Sequence, residues 1–146
     1  MPFAHRFETE VRRSADDAWA AATSIAGIRS ELSGILRLRT SPSITTLEEL
    51  LELDRPILVT LAVGPLPVVR WRPRVEVLDE VGMRFVESAD DMTGLRLWRH
   101  DRRVVATGAD HCRVIDVVSG DARVPGAGAL VAAMFRGRHR RLRRRT

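Results

Sequence analysis

From residue 3 onward the side chains alternate, with Phe3, His5, Phe7, Thr9 and Val11 on one side and Arg6, Glu8, Glu10 and Arg12 on the other. This is the period of a strand with one buried face. Ser14 then offers an N-cap, Asp16 and Asp17 fall in the first turn where a helix favours anions, and Ala15, Ala18, Trp19 and Ala22 make a stripe at helical spacing. Ile25, Ile28 and Leu32 form a second short stripe that Gly34 ends. Residues 36–40 read as a strand, and Ser41-Pro42-Ser43 as a turn. Residues 47–53 fit two readings. Thr46 with Glu49 resembles a capping box and Leu47, Leu50 and Leu51 fit a helical face, yet a run this short between turns also suits a strand.

Beyond residue 56 the pattern is that of a β-meander. Residues 57–63 form one apolar run, and a turn at residues 64–67 follows. Val69, Trp71, Val75 and Val77 then alternate with Arg70, Arg72, Arg74 and Glu76 in one further strand, where Pro73 marks an edge or a bulge. A turn at residues 79–82 centred on Val81 sets Phe85 opposite Val77. Residues 95–106 and 112–119 make the last hairpin. Centred on Ala109, it pairs Val104 with Val114, Arg102 with Asp116 and His100 with Val118. Pro125-Gly126-Ala127-Gly128 leads into a helix with Ala127, Leu130, Val131, Met134, Phe135 and Leu142 on one side and arginines on the other side and at its end. The class is α+β, in one domain spanning residues 1–146.

Composition narrows the function classes. A chain of 146 residues, 45% hydrophobic and 29% charged, is that of an ordinary folded domain. All 24 basic residues are arginine, and seven of them lie in the stretch 136–146. Removing those seven from the net charge of +5 leaves the remainder at −2, so the basic character belongs to the tail. A single cysteine, Cys112, and an N-terminus without the apolar core of a signal peptide point to the cytoplasm. The most apolar stretch, residues 57–69, is interrupted by Gly and Pro and falls short of the ~20 residues a membrane span needs.

The order of elements and the residues filling them are similar to the SRPBCC, or START-like, ligand-binding superfamily. The matching pieces are residues 7–19 (FETEVRRSADDAW), Gly82-Met83-Arg84-Phe85, residues 98–102 (WRHDR), residues 114–118 (VIDVV) and Pro125-Gly126-Ala127-Gly128. The resemblance implies a helix-grip fold, in which a curved antiparallel sheet of about six or seven strands wraps a long C-terminal helix, with two short helices after the first strand. It also implies a ligand cavity without a cofactor. Polyketide cyclases, aromatases and lipid carriers share this build, and the nearest likeness is to a bacterial branch with no assigned activity. The fold thus implies a cavity and not a reaction.

Which residues face such a cavity follows from the last hairpin. One face holds Trp98, His100, Arg102, Val104, Cys112, Val114, Asp116 and Val118, and the other carries more charge without partners, so the Trp98 face is expected inside. Trp71, Phe85, Trp98, Leu130, Met134 and Phe135 are the expected apolar lining, with His100, Arg102 and Asp116 as a polar anchor for a ligand carbonyl or hydroxyl. Alternatively, Arg102 and Asp116 neutralise each other across the hairpin and serve the fold alone. His100 is the candidate acid–base group, as the only inward histidine besides His5. No residue set compels an enzyme assignment.

Other chemistries are disfavoured. His5, His100, His111 and His139 are scattered, and adjacent His111 and Cys112 point to opposite faces, so no metal site is expected. Gly126-Ala127-Gly128 has neither the strand nor the further glycine of a dinucleotide fingerprint. The arginine tail suits a polyanion such as nucleic acid or a membrane surface. However, no aromatic residue interleaves with it after Phe135, and a solvated helix end explains it as well. Three functional readings therefore stand: a binder of a small hydrophobic or amphipathic molecule (lipid or polyketide-like), a cyclase, aromatase or dehydratase-like enzyme using His100 and Arg102, and a polyanion binder that cutting after Arg136 would test. The oligomeric state is open between monomer and homodimer.

Overall fold

A computed structural model describes residues 1–32, 34–53 and 55–144. Strand β1 (Pro2–Val11) leads into helices α1 (Ala15–Ala22) and α2 (Ile25–Glu31). Then come β2 (Leu36–Ser41), α3 (Leu47–Glu52) and the strands β3 (Leu58–Val63), β4 (Leu66–Trp71), β5 (Arg74–Asp79), β6 (Arg84–Asp90), β7 (Leu95–Gly108) and β8 (His111–Ala122). Helix α4 (Ala127–Arg144) ends the described chain. All pairings are antiparallel, in a five-stranded order β1-β8-β7-β6-β5 and a three-stranded order β2-β3-β4. Helix α4 lies against β1, β8 and α2.

Local chemistry sets the helix starts. The Ser14 hydroxyl accepts the Asp17 N–H, the Ser24 hydroxyl accepts that of Gly27, and the Thr46 hydroxyl accepts that of Glu49. These caps satisfy donors that a first turn leaves free. Glu49 also reaches back to the backbone N–H and hydroxyl of Thr45. With both termini of that contact closed, residues 47–52 form a helix, which settles the two readings of this segment. Helices α1 and α2 approach so closely at Gly27 that a Cβ there would fall 1.9 Å from the Ala21 carbonyl oxygen. Only glycine fits.

The meander departs from the alternation of residues 69–77. Pro73, which lacks an N–H, does not bulge one strand but separates two, β4 and β5, which belong to different hydrogen-bonded groups. The described strands therefore number eight. A bulge between Val75 and Val77 then turns Val77 outward and Leu78 inward, so Phe85 pairs with Leu78 instead of Val77. The last hairpin has the expected register, with Val104 opposite Val114, Arg102 opposite Asp116 and His100 opposite Val118. Trp98, His100, Arg102, Val104, Cys112, Val114, Asp116 and Val118 are all buried.

Helix α4 turns inward the face expected, with Ala127, Val131, Met134, Phe135 and Leu142 packed on the core, except at Leu130. Leu130 is 73% exposed, whereas Ala132, Phe135, Gly137, Arg138 and His139 are buried and Met134 is half-buried. The inward stripe is centred on Phe135, with Val131 and Leu142 above and below, and Leu130 lies off it. Arg138 and His139 enter with that stripe because carboxylates from other elements meet them.

Candidate functional site

Seven side chains from five elements converge behind α4. Asp116 on β8 is fully buried and receives Arg102 of β7 in a two-pronged contact, from Nε to Oδ1 and from Nη2 to Oδ2, both at 2.8 Å. The same guanidinium donates to Glu31 at the end of α2, from Nη1 at 2.8 Å and Nη2 at 2.7 Å. Arg138 on α4 donates to Glu31 Oε1 from Nε and Nη2 at 3.3 and 3.2 Å, and its guanidinium lies 4.7 Å above the Phe135 ring. Two guanidinium groups thus face two carboxylates. Charge and hydrogen-bond demand are met together, as buried ions require.

Asp116 also accepts from His100 Nε2 at Oδ1 and from His139 Nε2 at Oδ2, each at 2.7 Å. An ionised carboxylate can only accept, so both rings donate through Nε2, and in a neutral ring Nδ1 is left as an acceptor. At His139 the Thr9 hydroxyl lies 2.7 Å from Nδ1 and fills that role. At His100 no described residue bonds Nδ1, and the ring lines a cavity. Burial pushes the Asp116 carboxyl up, but the Arg102 charge and the hydrogen bonds from Arg102 and His100 outweigh it and hold the group well below the ordinary range. For Glu31 burial is likewise the largest influence, and Arg102 and Arg138 overcome it, leaving the carboxyl lowered.

The cavity lies between sheet and α4 and measures about 80 Å³. Its wall is aliphatic and aromatic, including Ile25, Ile44, Leu61, Phe85, Trp98 and Met134, interrupted by four polar side chains, Thr40, Glu87, His100 and Arg138. Glu87 Oε1 accepts the indole N–H of both Trp71 and Trp98 at 3.1 Å, which fixes the two rings. Trp71, Pro73 and Leu50 line this cavity and also an open cleft of about 840 Å³ on the outer surface.

Of the residues expected to line a cavity, Trp71, Phe85, Trp98, His100 and Met134 do so. Arg102 and Asp116 lie behind the wall in the ion network, and Phe135 packs edge-on against His100 at 5.0 Å between ring centres. Leu130 faces solvent and is removed from the site. Because Arg102 is engaged by two carboxylates, it is not placed to polarise a ligand carbonyl. Four side chains of the network and cavity wall were not among the expected site residues: Glu31, Glu87, Arg138 and His139. Spacing signalled three of them, since Glu31 lies three residues after Ile28 while Arg138 and His139 lie three and four after Phe135. Polarity hid them. His5, half-buried on β1, donates Nε2 to the Gly128 carbonyl at 3.1 Å, and His139, which was not expected inside, is the more deeply buried of the two. Among the described residues no group of three or more His, Cys, Asp or Glu side chains is assembled to hold a metal.

The arginine tail is likewise partly internal. Arg138 is in the core and Arg141 donates to the Glu31 carbonyl at 3.1 Å, while Arg145 and Thr146 lie outside the described residues. Cutting after Arg136 removes core residues, so it tests folding and not a tail. No described helix is long and apolar enough to cross a membrane.

A sheet closed over a long C-terminal helix, with a cavity between them, gives this chain a helix-grip fold of the START-like (SRPBCC) kind. Solved structures agree on the fold. XoxI from Bacillus cereus superposes with a TM-score of 0.70 at 14% identity over 97% of this chain and 94% of that one. A START superfamily protein from Mycobacterium smegmatis gives 0.68 at 10% identity over 97% and 95%, and the Zhui aromatase/cyclase from Streptomyces sp. R1128 gives 0.65 at 11% over 97% and 92%. Residues 9–146 match the family described as domain of unknown function DUF8410, and the chain belongs to it. Comparison with curated proteins gives no match.

Proposed function

We propose that the chain binds a small hydrophobic or amphipathic molecule between its sheet and α4. The observation that carries this reading is the cavity, whose wall is apolar except for Thr40, Glu87, His100 and Arg138. Ligand pockets have this make-up, with apolar area supplying affinity and a few polar groups fixing orientation. His100 Nδ1 suits a ligand hydroxyl as donor, and Arg138 Nη1, which has no partner among the described residues, suits a carbonyl. At about 80 Å³ the cavity takes only part of such a molecule. Pockets for drug-sized ligands run to roughly 300–1,000 Å³, so binding involves displacement of the flexible Met134 chain or extension past Trp71.

A second reading, acid–base catalysis on a polyketide-type molecule, is favoured by one feature. Asp116 holds His100 through Nε2 and leaves Nδ1 without a partner among the described residues on a ring that lines the cavity, an arrangement that suits a general base. The aromatase/cyclase likeness is one of fold and adds no residue to that argument. Native mass spectrometry of the protein expressed in its own host separates the readings. A co-purifying small molecule released unchanged supports a binder, and a chemically altered one supports an enzyme. A ligand-free mass there, unchanged after incubation with aryl and alkyl alcohols, would overturn both.

A further inference from the structure

The outer cleft carries the ligand class further. Its floor and walls include Leu50, Leu53, Leu58, Pro56 and Val75, and Leu51 lies on it half exposed. Around these apolar groups are Arg55, Arg70, Arg72 and Arg74. Arg74 is answered by Asp90, and the cleft's other acid, Asp91, by Arg123. Arg55, Arg70 and Arg72 have no acidic partner among the described residues. The cleft is therefore apolar in its depth and cationic at its rim, and Trp71 forms the partition between it and the inner cavity.

We infer that this cleft is the head-group subsite for an amphipathic carboxylic acid whose apolar chain passes Trp71 into the inner cavity. The inference rests on the binding reading above and specifies its ligand. Charge decides the orientation. Inside, Arg102 and Arg138 are already balanced by Glu31 and Asp116, so an entering carboxylate would be a buried ion without a counter-charge. At the rim the carboxylate keeps part of its hydration and meets Arg70 and Arg72, which are exposed. Attraction there is modest and screened by salt. Trp71 sits at the end of β4, where the two strand groups part at Pro73. No β4–β5 hydrogen bonds close the wall at that point; a chain that passes displaces the Trp71 indole from Glu87, beside the Arg70 backbone that Thr93 holds.

The test compares octanoate with 1-octanol by titration calorimetry, on the full chain and on an Arg70→Gln/Arg72→Gln variant, at low and high salt. Both substitutions are at exposed side chains, and a thermal melt by circular dichroism confirms the fold. The expected result is a preference for octanoate of about fivefold at low salt. That preference disappears in the variant and in high salt, with octanol affinity unchanged. An equal preference in both proteins, or none in either while octanol still binds, overturns the head-group subsite and leaves the inner-cavity reading standing. If neither compound binds the full chain, the inner-cavity reading fails and takes the subsite with it.

Discussion

Arg102 makes four hydrogen bonds to two buried carboxylates, and Asp116 in turn receives four donors from Arg102, His100 and His139. Such a group is costly to take apart and gives little net gain over an apolar core, because desolvation offsets most of the attraction. Removing one partner shows the asymmetry. Arg102→Ala leaves Glu31 and Asp116 buried beside fewer cations, so stability should fall by about 3–5 kcal/mol, measured as the shift in urea unfolding. Loss of less than about 1 kcal/mol would place the carboxylates in contact with water. The Arg102–Asp116 pair was legible from the hairpin register, because strand periodicity and a single turn define it. Glu31 was not, since nothing near it in sequence announces a guanidinium from a strand some seventy residues on.

Helix α4 illustrates how an element's facing is chosen. By apolar content, Leu130 belongs to the buried side with Met134 and Phe135; by contact, Ala132, Arg138 and His139 join Met134 and Phe135 there and Leu130 does not. A stripe that includes two ionisable residues is stable only because Glu31 and Asp116 wait opposite it. Phe135→Ala should therefore cost about 3–5 kcal/mol through the cavity left at a fully buried ring. Leu130→Ala should change stability by no more than about 0.5 kcal/mol. Thermal melts of the two variants check this directly, and equal losses would put Leu130 back inside. The split of residues 69–77 at Pro73 has a similar lesson. Period-two alternation continued through the proline, but a missing N–H and a bulge at Val75 sent the two halves to different strand groups.

Across the whole molecule the network joins β1, α2, β7, β8 and α4 through one set of ions. Its acid response follows from two lowered carboxyls. Asp116 lies well below its ordinary 3.8 and Glu31 below 4.5, so the stability they contribute is present in full above those values. It is lost as pH falls through the folded-state values, because the unfolded chain takes up those protons first. Urea unfolding of the full chain should thus weaken steeply below about pH 4, and Arg102→Ala should flatten that acid limb. An identical slope in both proteins would detach the ion network from acid unfolding.

The sequence by itself determined the order of strands and helices outside residues 47–53 and the split at Pro73, the helix start capped by Ser14 and the register of the β7–β8 hairpin. These depend on periodicities, turn residues and caps acting within a few positions. Only the tertiary structure decided that Arg138 and His139 turn inward, that Leu130 turns out, and that Glu87 holds two tryptophans at the cavity wall. A charge is stable in the interior only when a counter-charge reaches it, and here that partner comes from a remote element. An internal void likewise exists only as what the packing of many side chains leaves unfilled.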